Sequence, residues 1–90
     1  MQQTVRLSTI QEVWESWTGW YWFVTEYHDN GICFGLVRGV EHEWGYFSIR
    51  ELVRLQKRSG NVWRVPRDHW TFCPCVVDDT DHNHLKGGGT

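Results

Sequence analysis

The sequence predicts a small α+β domain: an antiparallel sheet of three to four strands, a short N-terminal helix, and one helix packed on the sheet. Three observations predict it. Aromatic and β-branched runs recur between turn-forming residues, over 20–27, 32–38 and 43–47, as strands prefer. Two capping boxes, Ser8-Thr9-Ile10-Gln11 and Ser48-Ile49-Arg50-Glu51, mark helix starts, because the Ser hydroxyl and the Gln or Glu side chain satisfy backbone donors left over there. Ninety residues make one domain, near the size at which a single core is only just sufficient.

Behind Ser8, the residues Ile10, Val13, Trp14 and Trp17 recur at the i, i+3, i+4, i+7 spacing of one helical face. Thr18-Gly19 ends that helix. The next run alternates, so Trp20, Trp22 and Val24 share one face of a strand and Tyr21, Phe23 and Thr25 the other. His28-Asp29-Asn30-Gly31 is a hairpin turn, since Asn-Gly supplies positive φ. Residues 32–38 return as the partner strand, and 39–42 turn into 43–47, completing a meander. Ser48 then caps a helix that runs to about Arg58 and stops at Gly60. Its apolar side, Ile49, Leu52, Val53 and Leu55, lies across the sheet. Residues 61–65 suit a fourth strand, which Pro66 ends. Residues 1–76 form the domain, and 77–90, acidic and then Gly-rich, are expected to be a disordered tail.

Composition narrows the function classes. No stretch approaches the ~18 apolar residues of a membrane span. The first residues, Met1-Gln2-Gln3-Thr4-Val5-Arg6, lack the basic start and apolar run of a signal peptide, so a cytoplasmic, soluble protein is expected. Three cysteines, an odd number, argue against a disulfide framework, and Cys33 between Ile32 and Phe34 reads as a small core residue. Seven Trp, four Phe and three Tyr supply large rings to a small core. With rings on both sides of the strand over 20–27, one sheet face is left partly open or forms an interface.

Charge is distributed as a dipole although the net is −2. From Arg50 to Arg67, six basic residues (Arg50, Arg54, Lys57, Arg58, Arg64 and Arg67) stand against Glu51 alone. From Glu12 to Glu43, six acids (Glu12, Glu15, Glu26, Asp29, Glu41 and Glu43) stand against Arg38. On the second helix Arg50, Arg54, Lys57 and Arg58 occupy one sector, away from its apolar residues. Such a stripe follows phosphates, with Trp63 to stack on a base, or meets an acidic protein surface. The carboxylates of Glu41 and Glu43, flanking a turn beside Trp44, suit pairing with a partner's arginines or imitation of a phosphate row. Cys73, Cys75, His69, His82 and His84 offer zinc ligands, but Cys-Pro-Cys is too close for the usual Cys-x₂₋₄-Cys spacing, so no metal and no cofactor is expected. No nucleophile, oxyanion site or phosphate loop accompanies the carboxylates, and no enzyme is expected.

One ordered series of motifs points further. It runs from Trp22-Phe23-Val24-Thr25-Glu26-Tyr27 through Phe34-Gly35-Leu36-Val37 and a Gly-x-Glu-x-Glu turn at Gly39 to Glu43. Gly45-Tyr46-Phe47-Ser48 and Glu51-Leu52 follow, and Arg67-Asp68 with Trp70 closes it. The series resembles a domain-of-unknown-function family of small proteins carried by plasmids, integrative elements and phages. The resemblance spans roughly residues 20–72 and implies a fold and a genomic habitat; it carries no activity. Together with the charge dipole and surplus rings, it leads to the expectation of a non-enzymatic binding protein of a phage or mobile element. That protein would inhibit or modulate a host protein, such as a defence nuclease, a CRISPR effector or another nucleic-acid-processing complex. The alternative is a single-stranded nucleic-acid-binding module using the basic segment 50–67. Glu41, Glu43, Trp44, Arg50, Arg54, Lys57, Arg58 and Trp63 are the expected partner-binding residues, with no catalytic residue among them.

Overall fold

A computed structural model describes residues 3–78. Its strands are β1 (Val5–Arg6), β2 (Glu12–Ser16), β3 (Tyr21–Tyr27), β4 (Ile32–Arg38), β5 (His42–Ser48), β6 (Val62–Arg64) and β7 (Val76–Val77), and its helix is α1 (Ile49–Ser59). Five strands form an antiparallel sheet in the order β5-β4-β3-β2-β6, and β1 pairs with β7 in a separate parallel ribbon. The class is α+β, as the sequence predicts, with a larger sheet than the three to four strands expected.

The difference lies at the N-terminus. The segment read as a helix is the 3₁₀ turn Leu7–Thr9 followed by β2. Its apolar spacing is genuine, but the cause is double-sided burial. β2 lies between β3 and β6, so Val13 points into one core and Trp14 into the other, each fully buried. Neighbouring apolar residues at 13 and 14, with Ile10 before them, imitate a helical stripe. Trp17, the would-be fourth member, is 70% exposed in the hairpin after the strand. Ser16 and Gly19 close that hairpin, since the Ser16 N–H donates to the Trp20 carbonyl and the Gly19 N–H to the Ser16 carbonyl.

Each sheet face has its own cover. On one, Trp14, Trp22, Phe47 and Val62 meet Leu52, Ile49 and Val53 of α1. On the other, Val13, Phe23, Leu36 and Val65 are covered by Val5, Leu7, Ile10, Trp70 and Val76, supplied by the two ends of the described chain. Trp70, from the Arg67-Asp68-x-Trp70 motif in the 3₁₀ turn Arg67–Phe72, fixes this lid. Its Nε1 donates to the Val65 carbonyl at 3.0 Å, and the Arg67 guanidinium lies over its ring at 5.5 Å. The expected alternation along β3 holds as far as a bulge between Val24 and Glu26.

The Asn-Gly turn is present, with Asn30 at φ 63° and Gly31 at φ 75°. The cap at Ser48 is also present: its Oγ accepts from the Glu51 N–H at 3.2 Å. Gly60, left-handed at φ 71°, ends α1 with its N–H on the Gln56 carbonyl. Ser48→Ala should lower stability by about 0.5–2 kcal/mol, the range for losing an N-cap oxygen. Thermal melting reads this directly, and an unchanged midpoint would place the strand-to-helix junction elsewhere. The tail expected over 77–90 lies outside the described residues except Val77, which is in β7, and Asp78.

Candidate functional site

The lid from the chain ends covers β2, β3 and β4 as far as Leu36, and Cys75 reaches His42 at the start of β5. Beyond these contacts, that face of β4 and the edge strand β5 carries rings that no other element covers among the described residues. Phe34 is flanked by Tyr46 at 5.0 Å, edge-on, and by Trp44 at 6.0 Å, stacked. His28 extends the row at 5.4 Å from Tyr46. The register explains the cluster: Phe34 faces Tyr46 and Leu36 faces Trp44 across the β4–β5 ladder, so all four side chains share one face. Tyr46 is 67% exposed and Trp44 39%. This face carries a carboxylate at one end, Glu26, opposite Phe34 and 3.0 Å from the His28 ring, and Arg38 at the other, opposite His42 and donating to the Gly19 carbonyl at 2.9 Å.

Two further hollows lie on the helix side of the sheet. Trp20, Val37, Val40, Glu41 and Glu43 line a cleft of ≈ 410 Å³. Its floor is apolar, with Trp20 packed 5.9 Å from Trp22, and both carboxylates are exposed on its rim. Ile49, Val53, Arg50, Arg54 and Lys57 line a groove of ≈ 350 Å³ along α1, the same composition with the opposite charge.

The expected residues therefore fall into three groups. Glu41 and Glu43 share the acidic cleft, while Trp44, adjacent to Glu43 in sequence, points to the opposite face. Arg50, Arg54 and Lys57 line the basic groove, with Arg58 exposed beyond it; Arg54 is held by Glu51 at 2.5 Å. Trp63 is not with them. It pairs with Glu15 on the far face and donates its Nε1 to the Glu15 carboxylate at 3.2 Å, so the structure does not join it to the basic stripe. Phe34, Tyr46 and His28 complete the aromatic row and were not singled out by sequence. The available signal was that 34, 36, 44 and 46 alternate onto one face of neighbouring strands.

Two other carboxylates hold the fold. Glu12 accepts from Trp14 Nε1 at 2.7 Å and Tyr27 Oη at 2.6 Å, and pairs with Arg64 Nε at 3.0 Å. Glu15 accepts from Tyr21 Oη at 2.9 Å as well as from Trp63. Burial, and then the carboxylate beside each phenol, pushes Tyr21 up from 10.0 to about 12 and Tyr27 up further. Burial also raises Cys73 from 9.0 to about 11. All three hold their protons longer in the folded chain. Their contribution is complete below the unfolded values and is lost as pH rises through the folded ones, so stability should decline from about pH 9 to 12. Denaturant melts across that range check this, and Tyr21→Phe with Tyr27→Phe should shrink the part of the decline above pH 10.

Cys73 Sγ lies 3.7 Å from the His69 carbonyl and Cys75 Sγ 3.6 Å from His42 Nδ1. His82 and His84 lie outside the described residues. Among the described residues no group of three metal-ligating side chains converges, and no helix is long and apolar enough to cross a membrane. Comparisons with protein-family models, with curated proteins and with solved structures return no match.

Proposed function

We propose that this protein is a non-enzymatic binding protein that acts by occupying a surface on another protein, with the Phe34–Trp44–Tyr46 row at the centre of contact. The observation that carries this reading is the row itself, uncovered among the described residues: Phe34 in ring contact with Trp44 on one side and Tyr46 on the other, all on paired strands. Preformed aromatic anchors give large apolar contact at little entropic cost, and Trp and Tyr dominate such contacts energetically. A protein partner suits the row better than nucleic acid does, because Glu26 lies beside it, the one cation of this face, Arg38, is turned to the Gly19 carbonyl and the Tyr21 ring, and a backbone-tracking groove needs cations beside the stacking rings. The resemblance to plasmid, integrative-element and phage proteins supplies the habitat. A host defence nuclease, CRISPR effector or other nucleic-acid-processing complex is the partner class it suggests.

The single-stranded nucleic-acid reading retains one favourable observation, the exposed stripe Arg50, Arg54, Lys57 and Arg58 on α1. One experiment separates the two. Tagged protein is used to capture partners from host lysate, and binding to a fluorescent oligonucleotide is measured alongside. Trp44→Ala with Tyr46→Ala is expected to reduce capture of a specific protein by more than tenfold, since hot-spot truncations cost upward of about 2 kcal/mol each. Salt-sensitive oligonucleotide binding abolished by Arg54→Glu with Lys57→Glu, and no protein partner, would replace this reading with the alternative.

A further inference from the structure

We infer that the cleft between Trp20 and the β4–β5 turn receives an arginine side chain presented by a partner protein. It lies on the opposite face of the sheet from the Phe34–Trp44–Tyr46 row, and neither site requires the other. The cleft is ≈ 410 Å³ and is lined by Trp20, Val37, Val40, Glu41 and Glu43. Val37 pairs with Trp22 on β3 and with Glu43 on β5, so these side chains share one face. The indole wall is set by the turn itself. A Cβ on Gly39 would stand 2.4, 2.5 and 2.6 Å from three ring atoms of Trp20, so the ring lies against that backbone, and Trp22 backs it at 5.9 Å.

The fold leaves both the apolar and the charged parts of this cleft unused. Val40 is 90% exposed at the turn and Trp20 37%. Glu41 and Glu43 are exposed, and neither belongs to the ion pairs of the described residues, which join His28 to Glu26, Arg54 to Glu51 and Arg64 to Glu12. Arg38, the one arginine or lysine on β4 and β5, is on the other face and donates to the Gly19 carbonyl. Charge and shape together select the occupant. An indole face attracts a cation more strongly than any other ring. Val37 and Val40 suit the methylene stem of a long cationic side chain, and the two carboxylates accept from a guanidinium fork. Arginine fits better than lysine, because its planar, weakly hydrated head stacks on a ring while its in-plane N–H groups still donate. A free amino acid would bring its own carboxylate against Glu41 and Glu43, whereas a side chain on a protein brings only the cation. Phosphates and acidic peptides meet the same repulsion.

Heteronuclear NMR of the isotope-labelled full chain, titrated with the peptide acetyl-Gly-Arg-Gly amide, tests this. The Trp20 indole N–H and the Gly39 and Val40 amides are expected to shift together, with a dissociation constant in the millimolar range that a single side chain can supply. The matching lysine peptide and free arginine should each bind more weakly. The citrulline peptide, of nearly the same shape but without charge, should not bind. Glu41→Gln with Glu43→Gln should weaken the arginine peptide about tenfold or more, as loss of charge-assisted hydrogen bonds does, with the rest of the spectrum unchanged. Gly39→Ala adds one methyl and no charge; by pushing the indole off the turn it should weaken binding too, and the unshifted core resonances show that the variant is folded. Absence of any shift at Trp20 overturns the site, as does an affinity indifferent to the two Gln changes. Equal binding of the arginine and citrulline peptides overturns cation recognition, and equal binding of the arginine and lysine peptides overturns the choice of guanidinium.

Discussion

Gly35→Ala is expected to abolish folding or to cost more than about 4 kcal/mol, a range reserved for severe structural conflict. A Cβ at Gly35 would stand 1.7 Å from the Phe23 carbonyl oxygen and 2.8 Å from its carbon, with the Thr25 amide nitrogen at 3.2 Å. These are backbone atoms of the middle strand, and no rotamer change removes them. The close approach comes from the bulge between Val24 and Glu26, which brings β3 against β4 just where Gly35 pairs with Val24. Gly45, the register partner of Gly35 on β5, is the control. A Cβ there meets nothing within 4 Å, so Gly45→Ala should change stability by no more than about 1 kcal/mol, toward a more stable strand. Soluble yield and thermal melting read both. If Gly35→Ala melted like the wild type, the β3–β4 register would be wrong.

That contrast shows what the sequence made legible. The Phe34-Gly35-Leu36-Val37 run reads as a strand, and so it is, but only the structure shows that its glycine is required by a neighbouring backbone. The meander, the Asn30-Gly31 turn, the Ser48 cap and the Gly60 stop were readable because each depends on residues close in sequence, which set φ or supply a local hydrogen bond. The N-terminal strand was not readable, because its signature depends on what lies above and below it. Val13 and Trp14 look like a helical stripe until two separate cores, one under α1 and one under Trp70, claim them from opposite sides. The site divides the same way. Glu41, Glu43 and the α1 cations were visible as local charge, whereas the row of Phe34, Trp44 and Tyr46 needed the β4–β5 register. An expected link between Trp63 and the basic stripe failed for the same reason, since β6 turns Trp63 toward Glu15 on the far face.

Trp14→Ala should cost about 3–5 kcal/mol, as truncation of a large buried ring does. A domain of this size has on the order of 5–13 kcal/mol in total, so the variant should be close to unfolding at room temperature. Trp14 is fully buried at the centre of the helix-side core, against Leu52 and Val62. The Arg64 guanidinium lies over its ring at 5.4 Å, and its Nε1 donates to Glu12. Removing the ring therefore empties the space under α1 and also loosens the Glu12 carboxylate that holds Tyr27 and Arg64. Trp14→Phe divides these effects. It keeps most of the apolar volume and loses the indole donor, but Glu12 retains Tyr27 and Arg64 as partners, so no bare carboxylate is left buried. About 1–2 kcal/mol is expected for it, from one hydrogen bond and a small cavity. Urea unfolding gives both values on one scale. If Trp14→Ala cost under about 1 kcal/mol, Trp14 would not be the residue that anchors α1 to the sheet. If Trp14→Phe were as damaging as Trp14→Ala, the hydrogen bond to Glu12, rather than packing, would hold this core together.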